Sequence, residues 1–172
     1  MTTRAPSDPL APLPAEPDCT IRAATRADAG TIGSLVHRLL AGIMPPDQLL
    51  PVETLSEAAG RLFDEGPGFA AYLAEEADGT PAGLITLTEL GAVFARGRFG
   101  EVAELYVEPA WRSRQLGARL IARAAEHGRA AGWTRLELTA PHADDAPDAS
   151  RAWAFYRRLG FVEAGPRMKV KL

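Results

Sequence analysis

Apolar positions recur along this chain at two spacings, and each change of spacing marks an element boundary. Ala29, Ile32, Val36, Leu39 and Ile43 fall at helical intervals and predict a first helix to about Ala41. Thr25-Arg-Ala-Asp28 stands just ahead of it with capping-box spacing. After a proline-punctuated link, 43–51, the residues Leu55, Ala58, Ala59, Leu62 and Phe63 line a second amphipathic helix that ends near Gly66. The period then shortens. Residues 69–75 read as a strand, Asp78-Gly79 as a turn, and 82–90 as the hairpin partner. There Thr86 and Thr88 alternate with Ile85 and Leu87, as on a strand with one buried face. Residues 91–100 are glycine-rich but no helix follows them, so they read as a hairpin turn rather than a nucleotide loop. Val102 to Val107 is strand-like, and Pro109 stops it by removing a backbone donor. Leu116, Leu120, Ile121 and Ala124 form one face of a helix to His127, which Gly128 weakens and Gly132 ends. Residues 134–140 alternate like a half-wet strand. Ala152, Phe155, Tyr156 and Leu159 stripe a last helix, capped by Asp148 or Ser150 and stopped by Gly160. Residues 20–23 make the first strand, and 161–164 and 168–172 the terminal ones. The order β-α-α-β-β-β-α-β-α-β-β predicts an α/β (α+β) domain, a mixed sheet with helices on both faces.

Composition narrows the classes. A chain of 172 residues with 47% hydrophobic and 24% charged content suits one globular domain with a real core. Residues 1–18 carry Pro6, Pro9, Pro12, Pro14 and Pro17 and read as a disordered leader, leaving 19–172 as the domain. A net charge of -3 argues against broad nucleic-acid binding. Cys19 is the single cysteine, so no internal disulfide forms, and it reads as a small buried residue in a protein of a reducing compartment. No apolar run reaches the ~20 residues of a membrane span. The N-terminus lacks a charged-then-apolar signal pattern. A cytoplasmic protein with no membrane partner is expected.

Chemistry concentrates between Val102 and His127. A strand, a basic turn (Arg112-Ser-Arg-Gln-Leu-Gly117) and a helix N-terminus in that order build an anion site. Arg112 and Arg114 add charge, and Gly117 lets backbone approach a phosphate. The segment 107–118 resembles the acetyl-CoA signature of the GCN5-related N-acetyltransferases, the GNAT superfamily. Arg112, Gly117 and Ala118 match its Arg/Gln-x-x-Gly-x-Gly/Ala loop, while Gln115 stands at the usual first glycine. Residues 152–161, Ala-Trp-Ala-Phe-Tyr-Arg-Arg-Leu-Gly-Phe, resemble the family's Ala-x-x-hydrophobic-Tyr-x-x-hydrophobic-Gly-Phe segment, with Ala149 where an Asn is often found. The resemblance covers Thr20 to Leu172. It implies a mostly antiparallel central sheet flanked by about four helices, acetyl-CoA as cosubstrate, and an acceptor site bordered by the first two helices and their link. Homodimers are common in the family.

Acetyl transfer from a thioester to an amine needs a held carbonyl, a neutral amine, a stabilised oxyanion and a proton for the departing thiolate. The resemblance implies cofactor contact from the strand residues Leu105, Tyr106 and Val107, with backbone N–H groups of Tyr106 and Val107 toward the pantetheine arm. It implies pyrophosphate contact from Arg112, Ser113, Arg114, Gln115, Leu116, Gly117 and Ala118. Tyr156 is the candidate general acid, a phenol of reference pKa about 10 that stays protonated at neutral pH. The alternative is a ring that merely fills the core beside Phe155. Glu104 is the candidate general base, directly or through water, because a desolvated carboxylate gains basicity. It is otherwise a strand-surface carboxylate paired with an arginine. Glu101, expected on the same face of that strand, His142, and the pair Asp144-Asp145 are further candidates. Trp111 and Trp153 are expected to pack or to cover the cleft, and His37 receives no role. No metal is expected. The function implied is acetyl-CoA-dependent N-acetylation of a primary amine on a small molecule or protein, by direct attack in a ternary complex. The alternative is a non-catalytic CoA-binding GNAT-fold sensor or interaction module. The acidic stretch 144–148 favours a cationic acceptor.

Overall fold

The strands of the sheet lie in the order in which the chain makes them. The computed structural model describes Leu10, Ala11, Leu13, residues 18–141 and 149–165, Arg167, Met168 and Val170. Strands β1 (Cys19–Ala23), β2 (Phe69–Glu76), β3 (Pro81–Ala92), β4 (Gly97–Val107) and β5 (Leu136–Leu138) stand side by side in that sequence. The first four pair antiparallel and β5 joins β4 in parallel. A parallel neighbour needs a crossover, and α3 (Leu116–Ala130) supplies it. Helices α1 (Ala29–Ala41) and α2 (Val52–Asp64) precede β2, and α4 (Ala149–Arg158) follows β5. The mixed, mostly antiparallel sheet with four helices is borne out.

Alternation along the strands sends side chains to two cores. Tyr72, Ile85, Leu87 and Val102 meet Leu116, Leu120, Ile121 and Ala124 of α3, with Phe155 and Leu159 packed against them.

 Phe155 lies within α4 and Leu159 just beyond its last turn. On the opposite face Leu73, Leu84 and Tyr106 meet Ile32, Leu35 and Val36 of α1 and Ala59 of α2. Burying each of the large aliphatic side chains contributes about 1.5–3 kcal/mol. Covered on both faces, β3 is buried continuously from Ala82 to Leu87. The one-sided burial expected there is therefore corrected: Thr86 is as deeply buried as its apolar neighbours.

Other local expectations change for similar reasons. Thr25 does form its capping box with Asp28, its N–H donating to Asp28 Oδ2 at 2.7 Å, but around a short 3-10 turn, Arg26–Asp28, that leads into α1. Ile43 falls beyond α1 and is exposed, as is Leu62 on the outer side of α2. Helix α3 continues through Gly128 to Ala130. Strand β5 is shorter than the alternation of 134–140 suggests, because it pairs with β4 over three residues only. Ser150 is the second residue of α4 and so not its cap, while Asp148 lies outside the described residues. Gly160 does stop the chain after α4 at φ +86°, with Phe161 N–H donating to Tyr156 O at 3.1 Å. Residues 161–165 form no strand. Of the second expected terminal strand, Met168 and Val170 are described and are not in a strand either. Most of the proline-rich leader lies outside the described residues, yet Leu10 packs against the core beneath α3.

Candidate active site

An irregularity in β4 builds the site. Glu104 pairs with Thr86 and Val102 with Leu87, so Ala103 is an extra residue, a bulge. The Glu104 N–H donates to Thr86 Oγ1 at 3.1 Å. Pairing with β5 stops at Val102, so the edge from Ala103 to Val107 has no strand partner among the described residues. Glu108 N–H donates to Ala82 O at 2.9 Å, toward β3. Alternation then turns the Tyr106 amide toward β3 as well, and the Leu105 and Val107 amides toward the open edge. Of the two amides singled out in the sequence, that of Val107 faces the open edge and that of Tyr106 faces β3; the Leu105 amide faces the open edge as well.

The same bulge decides which carboxylates share a face. Glu101 and Glu104 stand three residues apart, which on a regular strand would put them on opposite faces. The added residue brings them to one face, opposite Thr88 and Thr86 respectively. Glu104 accepts a hydrogen bond from Thr86 Oγ1. Its carboxyl is pushed above the usual carboxylate range by burial; the Thr86 bond opposes this and the nearby Glu101 charge adds to it. Glu101 is engaged elsewhere, accepting from Arg167, whose Nη1 also donates to Thr139 Oγ1 at 2.7 Å. Farther along this face Glu108 accepts from Arg38 of α1 and from Tyr106 Oη at 3.2 Å. His142 and Asp144-Asp145 lie outside the described residues.

The open edge leads into the loop before α3. Arg112 Nε donates to Val107 O at 3.2 Å, which holds this exposed guanidinium at the end of β4. Arg114 lies over the buried Trp111 ring, 5.1 Å from its centroid. Ser113 and Gln115 take φ of 63° and 60°, the left-handed region, and curl the main chain into the helix start. Such turns gather amides into an anion-binding concavity. The first turn of α3 carries no acidic side chain, so its unpaired N–H groups at Leu116, Gly117 and Ala118 are free of an internal counter-charge. Gln115 thus follows the path a glycine would take, at a cost of about 1–2 kcal/mol for the side chain. Gln115→Gly is expected to leave the melting temperature unchanged or raised. Gln115→Val, β-branched at the same φ, should lose about 1–3 kcal/mol in denaturant titration. Equal stability of the two variants would mean that this residue is not left-handed.

Helix α4 docks beside this loop through Gly117. A Cβ there would sit 3.2 Å from Phe155 Cζ, so the missing side chain lets the Phe155 ring seat against α3. Tyr156, the next residue, stands edge-on between Phe155 and Phe161, with centroids 5.2 and 5.8 Å away. Burial pushes its phenol up, so it holds its proton more firmly than a free tyrosine. Its hydroxyl has no hydrogen-bond partner among the described residues. Trp111 packs, as expected, with its Nε1 donating to Glu76 at 2.8 Å. Trp153 is partly buried and donates to Pro141 O at 3.0 Å. Thr86 escaped the sequence reading, although a hydroxyl inside the run Leu84-Ile-Thr-Leu87 was the available signal.

These residues fit coenzyme A. An amide edge suits the pantetheine amides, and an acid-free helix start with two flanking arginines suits the pyrophosphate. Known proteins agree with that geometry. The family model of the Acetyltransferase (GNAT) family matches residues 37–161. An "IAA acetyltransferase" of Azospirillum brasilense is 30% identical over 133 residues, 76% of this chain and 74% of its own length. "Glucosamine 6-phosphate N-acetyltransferase 1" of Oryza sativa subsp. japonica is 32% identical over 130 residues, 71% of this chain and 73% of its own. Among solved structures, an aminoglycoside acetyltransferase from an uncultured soil metagenomic sample superposes with a TM-score of 0.73 at 18% identity, covering 90% of this chain and 96% of that one. With the matched region extending from the first helix through the Tyr156 segment, this chain belongs to the GNAT family and is an acetyltransferase.

Proposed function

We propose that this protein is an acetyl-CoA-dependent N-acetyltransferase of the cytoplasm, acting on a primary amine of a small molecule or protein by direct attack in a ternary complex. The observation that carries this reading is the unpaired edge at Leu105 and Val107 running straight into the amide-rich loop 112–118. Bound acetyl-CoA supplies an acetyl group activated as a thioester. The chain's own groups account for the rest. Leu105 and Val107 N–H orient the cosubstrate along β4, and the loop amides with Arg112 hold its phosphates. Glu104, with its raised carboxyl, takes a proton from the amine, directly or through one water. The Tyr156 phenol, kept protonated by burial, gives a proton to the departing sulfur. Proton count balances: one leaves nitrogen and one reaches the thiol.

Calorimetric titration with acetyl-CoA, followed by thiol release over a panel of amines, tests the assignment. The panel includes glucosamine 6-phosphate, spermidine and a short peptide with a free N-terminus. Saturable binding with amine-dependent thiol release is expected. Absence of binding would overturn the reading, and binding without release for any amine would leave a CoA-binding module instead. Tyr156→Phe should lower kcat by about 10²-fold or more while acetyl-CoA affinity stays unchanged. Undiminished turnover across the pH range in that variant would leave the phenol as core packing.

A further inference from the structure

We propose that Thr86 is a positioning residue for the transfer reaction, its one hydroxyl holding the Glu104 carboxylate and main chain together where the amine arrives. This rests on the reading of Glu104 as the base. Thr86 is 1% exposed, between Ile85 and Leu87 on the most deeply buried strand. A hydroxyl has one proton and two lone pairs. Here Oγ1 accepts the Glu104 N–H at 3.1 Å and donates its proton to Glu104 Oε2. The first bond ties the main chain of Glu104 to β3 where the register shifts at Ala103. The second fixes one carboxylate oxygen, and Oε1 bonds no other group among the described residues. One oxygen is therefore pinned to the scaffold while the other is left to take a proton. Valine at this position would match threonine in shape and strand preference, so the interior hydroxyl answers a polar need rather than a packing one.

The same bond stabilises the charged carboxylate, so removing it favours the protonated form. Other charged groups around this face are Glu101 with Arg167, Glu137 on β5 with Arg135, and the Arg38–Glu108 pair between α1 and the end of β4. His37 of α1 is bonded to Leu50 O at 2.9 Å. Substitution at Thr86 leaves all of them in place.

The experiment compares Thr86→Val with Thr86→Ser in two measurements. One is an NMR titration of the ¹³C-labelled Glu104 carboxyl, assigned with Glu104→Gln, which needs no acceptor. The other is the pH profile of kcat/KM, read by thiol release with the panel amine that turns over fastest. Thr86→Val should raise the Glu104 titration midpoint by about one pH unit, a size usual for loss of one hydrogen bond to a charged group. The acidic limb of kcat/KM should move up with it, lowering kcat/KM about tenfold below the midpoint. Thr86→Ser should restore both. A carboxyl midpoint that stays put in Thr86→Val overturns the proposal. A midpoint that moves while the rate profile does not shows that Glu104 is not the base, and removes Thr86 from the reaction with it. Circular dichroism checks folding, and Thr86→Ala replaces Thr86→Val in both measurements if the latter is unfolded.

Discussion

Glu104→Gln is expected to lower kcat by about 10²–10⁴-fold and to erase the acidic limb of the pH–rate profile. The substitution keeps the shape of the side chain and its bond to Thr86, since an amide oxygen still accepts from Oγ1. What disappears is the group that takes a proton. Acetyl-CoA binding should survive, because the proposed contacts to the cosubstrate come from main-chain amides of Leu105 and Val107 and from the loop before α3, not from this carboxylate. The measurement is a pH series of thiol release beside a calorimetric titration of acetyl-CoA. If the acidic limb remains in this variant, another group titrates, and the assignment passes to Glu101 or His142.

The same substitution has a consequence for stability whose direction follows from linkage. Burial raises the Glu104 carboxyl above its ordinary range, so the folded protein binds this proton more tightly than the unfolded chain does. Stability from that proton is present below the unfolded pKa and is lost as pH rises through the folded one. As pH rises through the folded range the wild-type protein loses this stability, whereas glutamine, which does not titrate, has none to lose. Glu104→Gln should therefore gain stability relative to wild type as pH rises from 4 to 7. Chemical denaturation at pH 4 and pH 7 checks the sign. A variant less stable at pH 7 than at pH 4, relative to wild type, would contradict it.

Gly100→Ala is expected to lose about 1–3 kcal/mol of stability, or somewhat more, from overpacking. A Cβ on Gly100 would lie 1.9 Å from Trp133 Cζ3 and 2.2 Å from its Cε3. The indole cannot move aside easily. Its other side rests on Gly128, where a Cβ would be 2.7 Å from Cε3, and its Nε1 donates to Glu89 at 2.8 Å. Relief must come from the main chain, and there Gly100 N–H donates to Arg135 O at 3.1 Å, the bond that opens the β4–β5 pairing. Urea titration gives the loss. In a Trp133→Leu background the added cost of alanine should shrink, since the two positions share one contact. An equal cost in both backgrounds would exonerate the indole.

Much of the fold could be read because it depends on periodicity. The amphipathic stripe of Ile32 and Val36, the turn at Asp78-Gly79 between β2 and β3, the stop at Pro109 and the left-handed Gly160 are each dictated by neighbours within a few residues. The loop 112–118 and the Tyr156 segment were legible for the same reason, since their spacing is local. Burial on both faces of β3 was not, because whether a strand is covered once or twice depends on helices outside its own stretch of sequence, α1 and α2 on one face and α3 on the other. Gly100 and Gly128 looked like a loop residue and a weak point in a helix. They are the two walls of a slot for Trp133, which only the packing of α3 on β4 brings together.

The site divides along the same line. Composition and motif spacing alone determined an α/β domain with a basic turn at a helix start and a tyrosine helix behind it, because those features are written in contiguous residues. Tertiary structure decided which amides of β4 face the open edge, that Glu101 and Glu104 share a face, and that Thr86 meets Glu104 across 18 residues of chain. The reason is the bulge at Ala103: a single unpaired residue reverses the inside–outside alternation of everything after it, and where the ladder slips is settled by the pairing of two strands together.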